Sequence, residues 1–281
     1  MIFGKKKIGV ALSGGAARGL AHIGVLQVLE SLGVEISAVS GCSMGAIVGA
    51  LYSLGVELTE MENYVKNTDW KNFLIFSVLA LSRAGIVNDH KVDEVFNKFM
   101  GDRTFEDCKK PFCCVAADII SGKKVILKSG SLKEAVRASI SVPGIFPPVH
   151  KGGELLVDGG LIEPLPTEAI RELDCNFIIA SSIVFESEDE SALENTGPDF
   201  LFKKNQNNIK KMSIQTILDK SMNIVQAQIT KSYAEKADIV IEPKIGGFGF
   251  FDFGKGEKII EAGRKATIRK IPEIKKKLRI K

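Results

Sequence analysis

Short apolar runs and stretches of helical spacing alternate along this chain, with glycine turns between them. Residues 7–12 (Lys-Ile-Gly-Val-Ala-Leu) form a continuous β-prone run, the pattern of a strand buried on both faces. A tight glycine-rich turn follows at residues 13–19. Leu20, Ile23, Leu26, Val28 and Leu29 then recur at helical spacing as far as Gly33. Residues 36–39 predict a second strand, so the opening order is strand, glycine loop, helix, strand, which implies a parallel pair joined by a crossover. Further helices are predicted at 46–54, 60–66 with Thr59 as cap, 92–99, 132–139, 166–173, 214–233, and 258–278 interrupted at Pro272. Strands are predicted at 112–119 and 123–127, joined as a hairpin at Ser121-Gly122, and at 154–157, 177–184 and 237–241. Residues 186–208 read as a mobile surface connection and 246–256 as a loop rich in glycine and phenylalanine. The pattern holds no repeat and no linker. It predicts one α/β domain over residues 1–281, with the strand and helices of 213–281 packed on a core of 7–184.

Two apolar windows bear on membranes. Residues 36–56 carry no charge, long enough to span a bilayer, but the first third is β-prone and then turn-like. A buried strand, turn and helix explains that composition better. Residues 73–81 are apolar on all sides and too short to span; they suit a core helix, a wall of an acyl-chain channel, or a patch that meets lipid.

Composition narrows the class. Of 281 residues, 45% are hydrophobic and 26% charged, as in a soluble globular protein. A net charge of +4 is too small to argue for nucleic acid. The basic excess gathers at Lys5 to Lys7 and between Arg264 and Lys281, either as a solvated helix end or as a contact for an anionic membrane surface. The five cysteines, Cys42, Cys108, Cys113, Cys114 and Cys175, fit neither a disulfide framework nor a zinc site and suggest a reducing compartment. Residues 1–7 show no secretory signal, so the expected location is the cytoplasm, with peripheral contact at the inner membrane surface.

The chemistry centres on Ser40-Gly41-Cys42-Ser43-Met44-Gly45-Ala46, a serine between two glycines where a strand gives way to a helix. That is the nucleophile-elbow arrangement, in which Gly41 and Gly45 let the backbone turn sharply around an exposed hydroxyl. A triad needs a histidine. His22 precedes the serine, inside a helix, and neither His90 nor His150 sits late in the chain after a last strand. Asp158 is a better base candidate, because it comes directly off the apolar run Leu155-Leu156-Val157 and precedes two glycines. Taken alone, Asp-Gly-Gly is also simply a good turn. The loop at residues 13–19 can bind an anion through its amides. It lacks a P-loop ending and the middle glycine of the dinucleotide fingerprint. Its place beside the elbow favours an oxyanion over a nucleotide phosphate.

Several motifs in order carry a family resemblance. Ser13-Gly14-Gly15-Ala16-Ala17-Arg18-Gly19, then Gly41-Cys42-Ser43-Met44-Gly45, then residues 137–148, then Asp158-Gly159-Gly160, resemble the bacterial branch of the patatin-like phospholipases. The likeness runs from about residue 7 to 184 and thins beyond. It implies a three-layer α/β/α patatin-like fold with a mostly parallel central sheet flanked by helices. It implies a lipid acyl hydrolase (a phospholipase A, lysophospholipase or carboxylester hydrolase) that works through an acyl-enzyme with neither metal nor cofactor. Ser43 would be the nucleophile and Asp158 the base. Amides of Gly14, Gly15 and Ala16 would hold the oxyanion, supported by Arg18. Ala16 stands where the family has glycine, which keeps the hole intact if φ is negative and distorts it if φ must be positive. The implied partner is an acyl lipid or phospholipid, with membrane contact through a basic or apolar surface. A catalytically silent lipid binder is the alternative.

Overall fold

The sheet is built outward from β1 (Ile8–Leu12), all five residues of which are buried. The computed structural model describes residues 6–70, 90–183 and 214–280; the expectations for residues 73–81 and 186–208 lie outside them. β1 pairs in parallel with β2 (Ile36–Gly41) on one side and β7 (Phe177–Ser181) on the other. β3 (Phe112–Asp118) extends the parallel sheet beyond β2, and β8 (Ile239–Ile241) extends it beyond β7. Two strands, β4 and β6, run against this direction. β4 (Lys123–Leu127) and β6 (Glu154–Asp158) pair antiparallel with β3, and β5 (Val149–Lys151) pairs antiparallel with β6. The mostly parallel sheet flanked by helices is the one expected.

Alternation along β1 separates two cores. Ile8, Val10 and Leu12 face the larger one, under α1 (Ala21–Ser31), α2 (Met44–Leu54) and α7 (Gly256–Leu278). Ala11 faces a smaller one with Ala38, Ile170, Cys175 and Ile178. The small residues on that side let a short 3₁₀ turn, Ala169–Leu173, pack close to the sheet. α1 and α7 lie against each other backbone to backbone. A Cβ on Gly24 would stand 2.0 Å from the Ile260 carbonyl oxygen. The remaining helices are α3 (Leu58–Asn67), α4 (His90–Phe99), α5 (Leu132–Ser139) and α6 (Ile214–Ala234). Among the described residues no helix is long and apolar enough to cross a membrane.

Three expectations need correction. The helix expected at 166–173 is only the 3₁₀ turn: Pro164 and Pro166 offer no amide, and the buried Glu163 carboxylate accepts from Glu168 N and Ala169 N at 2.7 and 3.1 Å. α7 is not interrupted at Pro272. Pro272 and Ile268, one turn earlier, both lie on the exposed side, where water can take the orphaned carbonyl. α3 begins at Leu58 rather than after Thr59, with Glu57 preceding it in extended conformation.

Candidate active site

Ser43 joins β2 to α2 at the carboxyl end of the parallel strands, with φ 52° and ψ −122°. A non-glycine residue rarely holds a positive φ, so the surroundings must enforce it. Two contacts on its amino-terminal side help to do so. Cys42 N donates to the Leu12 carbonyl at 3.1 Å, and Ser43 N donates to Ser139 Oγ at 3.1 Å. Ser139 Oγ in turn donates to the Val115 carbonyl at 2.7 Å, which anchors the elbow to β3. The flanking glycines are required by close approach. A Cβ on Gly41 would stand 2.4 Å from the Gly45 oxygen, and one on Gly45 would stand 2.2 Å from the Leu12 oxygen.

Asp158 reaches this point through the register of β3. Cys114 pairs with Gly41 and with Leu127; Ala116 pairs with Asp158 and with Val125. β4 therefore occupies one edge of β3 throughout, and β2 and β6 share the other. They run in opposite directions, so their carboxyl ends meet head-on, about 7 Å apart along β3. Asp158 is buried, and its Oδ1 accepts from Gly160 N at 2.7 Å and lies 3.8 Å from Cys42 Sγ. Burial pushes its carboxyl up to about 6, against the opposing pull of the Ser43 hydroxyl, the Gly160 amide and the Cys42 thiol. Oδ2 is buried without a hydrogen bond of ordinary geometry among the described residues. Catalytic hydrogen bonds are often loose until substrate aligns them.

The glycine loop lies alongside. A Cβ on Gly14 would be 3.4 Å from Ser43 Cβ. Gly14 N itself donates to the Pro164 carbonyl at 2.9 Å, so that amide is engaged. The amides of Gly15 and Ala16 donate to no hydrogen bond among the described residues. Ala16 takes φ 48°, the left-handed conformation, rather than the negative value that would leave alanine unstrained. Arg18 is buried; its Nε donates to the Gly15 carbonyl at 3.4 Å and its Nη2 to Asn223 Oδ1 of α6 at 2.9 Å.

The stretch after Asp158 ties these pieces together, which no motif announced. Pro164 O holds Gly14, and Pro166 O accepts the Ser40 hydroxyl at 2.7 Å. Ser139 was likewise visible in the sequence only as part of a resembling stretch. His22 is fully buried, with Nε2 2.8 Å from the Ser13 carbonyl and Nδ1 2.8 Å from Ser181 Oγ. Burial pushes it down to about 4, so the ring is neutral. The carbonyl can only accept, which assigns the proton to Nε2 and makes the Ser181 hydroxyl the donor to Nδ1. His22 braces the loop and has no nitrogen left for Ser43. His150 lies exposed in β5.

A cavity of about 200 Å³ includes Ser43 in its lining and is otherwise almost wholly apolar. Met44, Ile47, Val48 and Leu51 present one face of α2 to it, at the i, i+3, i+4, i+7 spacing of a helix stripe. Tyr64, Phe96, Phe99 and the Phe250–Phe251 loop close it. Among the described residues no three His, Cys, Asp or Glu side chains cluster as a metal site. The arrangement sets a hydroxyl near a buried carboxylate, with two amides in the adjoining loop unengaged among the described residues, at an apolar cavity.

Comparison with known proteins gives consistent matches. A family model described as patatin-like phospholipase matches residues 10–171. An uncharacterized NTE family protein of Mycobacterium tuberculosis is 36% identical over 177 residues, 63% of this chain and 49% of its own length. The lysophospholipase NTE1 of Candida glabrata is 29% identical over 278 residues, 93% of this chain and 16% of its own length. The chain thus spans about half or less of the length of these relatives. Among solved structures, VipD from Legionella pneumophila is 15% identical, with 98% of this chain and 77% of that chain covered, at a TM-score of 0.41.

Proposed function

This chain belongs to the patatin-like phospholipase family, and on that footing we propose that it is a lipid acyl hydrolase using Ser43 and Asp158 as a dyad. The observation that carries this reading is the head-on meeting of β2 and β6, which leaves a strained serine beside a buried carboxylate at an apolar cavity. In the proposed reaction, Asp158 takes the hydroxyl proton as Ser43 attacks the acyl carbonyl. The amides of Gly15 and Ala16 stabilise the oxyanion, while the Gly14–Pro164 bond fixes the loop that presents them. Asp158 then protonates the leaving alcohol, and water cleaves the acyl-enzyme with Asp158 again as base. No step needs a metal. The apolar cavity receives the acyl chain, and the lipid is met at a membrane surface on the cytoplasmic side.

The test is turnover of p-nitrophenyl butyrate and of a lysophospholipid by Ser43→Ala and Asp158→Asn. Both variants are expected to stay folded and to lose ester hydrolysis, and Ser43→Ala to lose fluorophosphonate labelling. Full activity in either variant refutes the dyad. The left-handed Ala16 supports a second reading, a lipid binder without turnover. Acyl-lipid binding by a wild-type protein that neither labels nor hydrolyses esters would favour it.

A further inference from the structure

Two surfaces compete for contact with a lipid bilayer, and the fold puts them at opposite ends of the sheet. The first is basic. Lys275, Lys276, Lys277 and Arg279 close α7, where Lys6 Nζ donates to the Lys277 carbonyl and Lys277 Nζ donates to the Asp238 carbonyl, both at 2.6 Å. Lys6 and Asp238 lie just ahead of β1 and β8, so this cluster sits at the amino ends of the parallel strands. Ser43 follows the carboxyl end of β2. A bilayer on the basic end would leave Ser43 facing away.

The second surface is apolar and lies at the Ser43 end. β3 runs parallel to β2, so its carboxyl end and the turn into β4 project on that side. Ile119 N donates to the Leu155 carbonyl at 2.9 Å, three residues past Ala116, the partner of Asp158. The turn thus stands about 10 Å beyond the level of the base. It is tightly built: the Asp118 carboxylate accepts from Ile120 N, Ser121 N, Ser121 Oγ and Leu155 N. Turns of this kind favour polar residues, yet this one presents Ile119 and Ile120, 50% and 77% exposed, beside the exposed Lys123.

α6 borders the same end. Asn223 accepts from Arg18, and a Cβ on Gly160 would meet Gln226 Nε2 at 2.3 Å. Between these two inward contacts, Ile224 and Val225 are 65% and 45% exposed. Of the large hydrophobic side chains exposed among the described residues, these four flank the site and the fifth, Ile268, lies midway along α7.

We propose that the β3–β4 turn, with the outward residues of α6, is the surface that enters the bilayer, and that the basic end of α7 is not. The inference rests on the lipid hydrolase reading, because a bilayer at this end presents acyl chains where Ser43 and its cavity can take them. The exposed isoleucines dip into the acyl boundary and Lys123 meets the lipid phosphates.

The experiment compares the wild type, Ile119→Asp with Ile120→Asp, and Lys275→Glu with Lys276→Glu. Each is measured for butyrate-ester turnover, for co-sedimentation with vesicles of phosphatidylcholine and phosphatidylglycerol, and for turnover of phospholipid in them. The isoleucine variant should keep its butyrate turnover. It should lose vesicle binding by about tenfold or more, the order expected when two aliphatic side chains are withdrawn from lipid. The lysine variant should keep most of both. Wild-type vesicle binding by the isoleucine variant, or an equal loss in the lysine variant, overturns the proposal. So does loss of concentration-dependent self-association in the isoleucine variant with vesicle binding unchanged, which assigns the turn to a second copy of the chain. Sedimentation reads docking without turnover. A wild type that sediments but hydrolyses no ester refutes the hydrolase reading and not the docking surface.

Discussion

Asp158 and His22 are both buried, and their protonation pulls stability in opposite directions across the same pH range. His22 is held down to about 4, so the unfolded chain binds its proton first and this group favours folding as pH rises from 4 to 6.5. Asp158 is pushed up to about 6 from an ordinary 3.8, so the folded chain holds the proton longer, and its contribution is lost as pH rises through 6. The gap between those two values for Asp158 corresponds to roughly 3 kcal/mol. Asp158→Asn should therefore match the wild type near pH 4 and exceed it by roughly 3 kcal/mol above pH 7, read from urea unfolding at several pH values. A variant no more stable at pH 8 than at pH 4, relative to wild type, would show that the carboxylate is not strained by burial. The same titration should appear in catalysis. Butyrate kcat/KM should rise with pH to a plateau through a pKa near 6, since the proposed base must be ionised.

At the scale of elements, the crossing of α1 and α7 is the tightest glycine contact among the described residues. A Cβ on Gly24 meets the Ile260 oxygen at 2.0 Å and Arg264 N at 2.8 Å, and one on Gly263 meets the Ala21 oxygen at 2.0 Å. Neither neighbour is a side-chain tip that can swing away. Gly24→Ala should force the helices apart and cost about 2 kcal/mol or more, despite the better helix propensity of alanine. Stability within about 0.5 kcal/mol of wild type in urea would show that α7 shifts without strain. This contact matters to the site because α7 leads in from the Phe250–Phe251 loop. Ala17 N donates to the Phe250 carbonyl at 3.1 Å, which links α7 to the glycine loop.

The whole molecule joins a polar crest to an apolar interior. Ser43, Asp158 and the glycine loop lie where strands end, and the cavity descends along α2. Ile47 is half-buried and lines it, so Ile47→Trp fills space without overpacking the deepest core. That variant should cut turnover of a palmitate ester roughly tenfold or more while leaving the butyrate ester within about threefold. Equal effects on both esters would mean that the acyl chain lies elsewhere.

The strands and most helices were legible because β1 to β3 are short apolar runs, α3 and α5 carry one apolar stripe, and α2 is an uncharged apolar run closed by Gly55. The glycines at 41 and 45 marked the elbow for the same local reason, a turn too tight for side chains. Local pattern failed where burial or exposure of a single side chain decided the outcome. Glu163 and two prolines shortened the helix after residue 166, and exposure let α7 run through Pro272. The sequence by itself determined a serine at a strand–helix turn and an aspartate at a strand end. Only the tertiary structure decided that they meet, since β4 fills one edge of β3 and forces β2 and β6 to share the other. It also decided the hand of Ala16, the engagement of the Gly14 amide with Pro164, and the placing of the basic end away from the site. Register and distance between segments far apart in the chain are set by packing, and no local pattern encodes them.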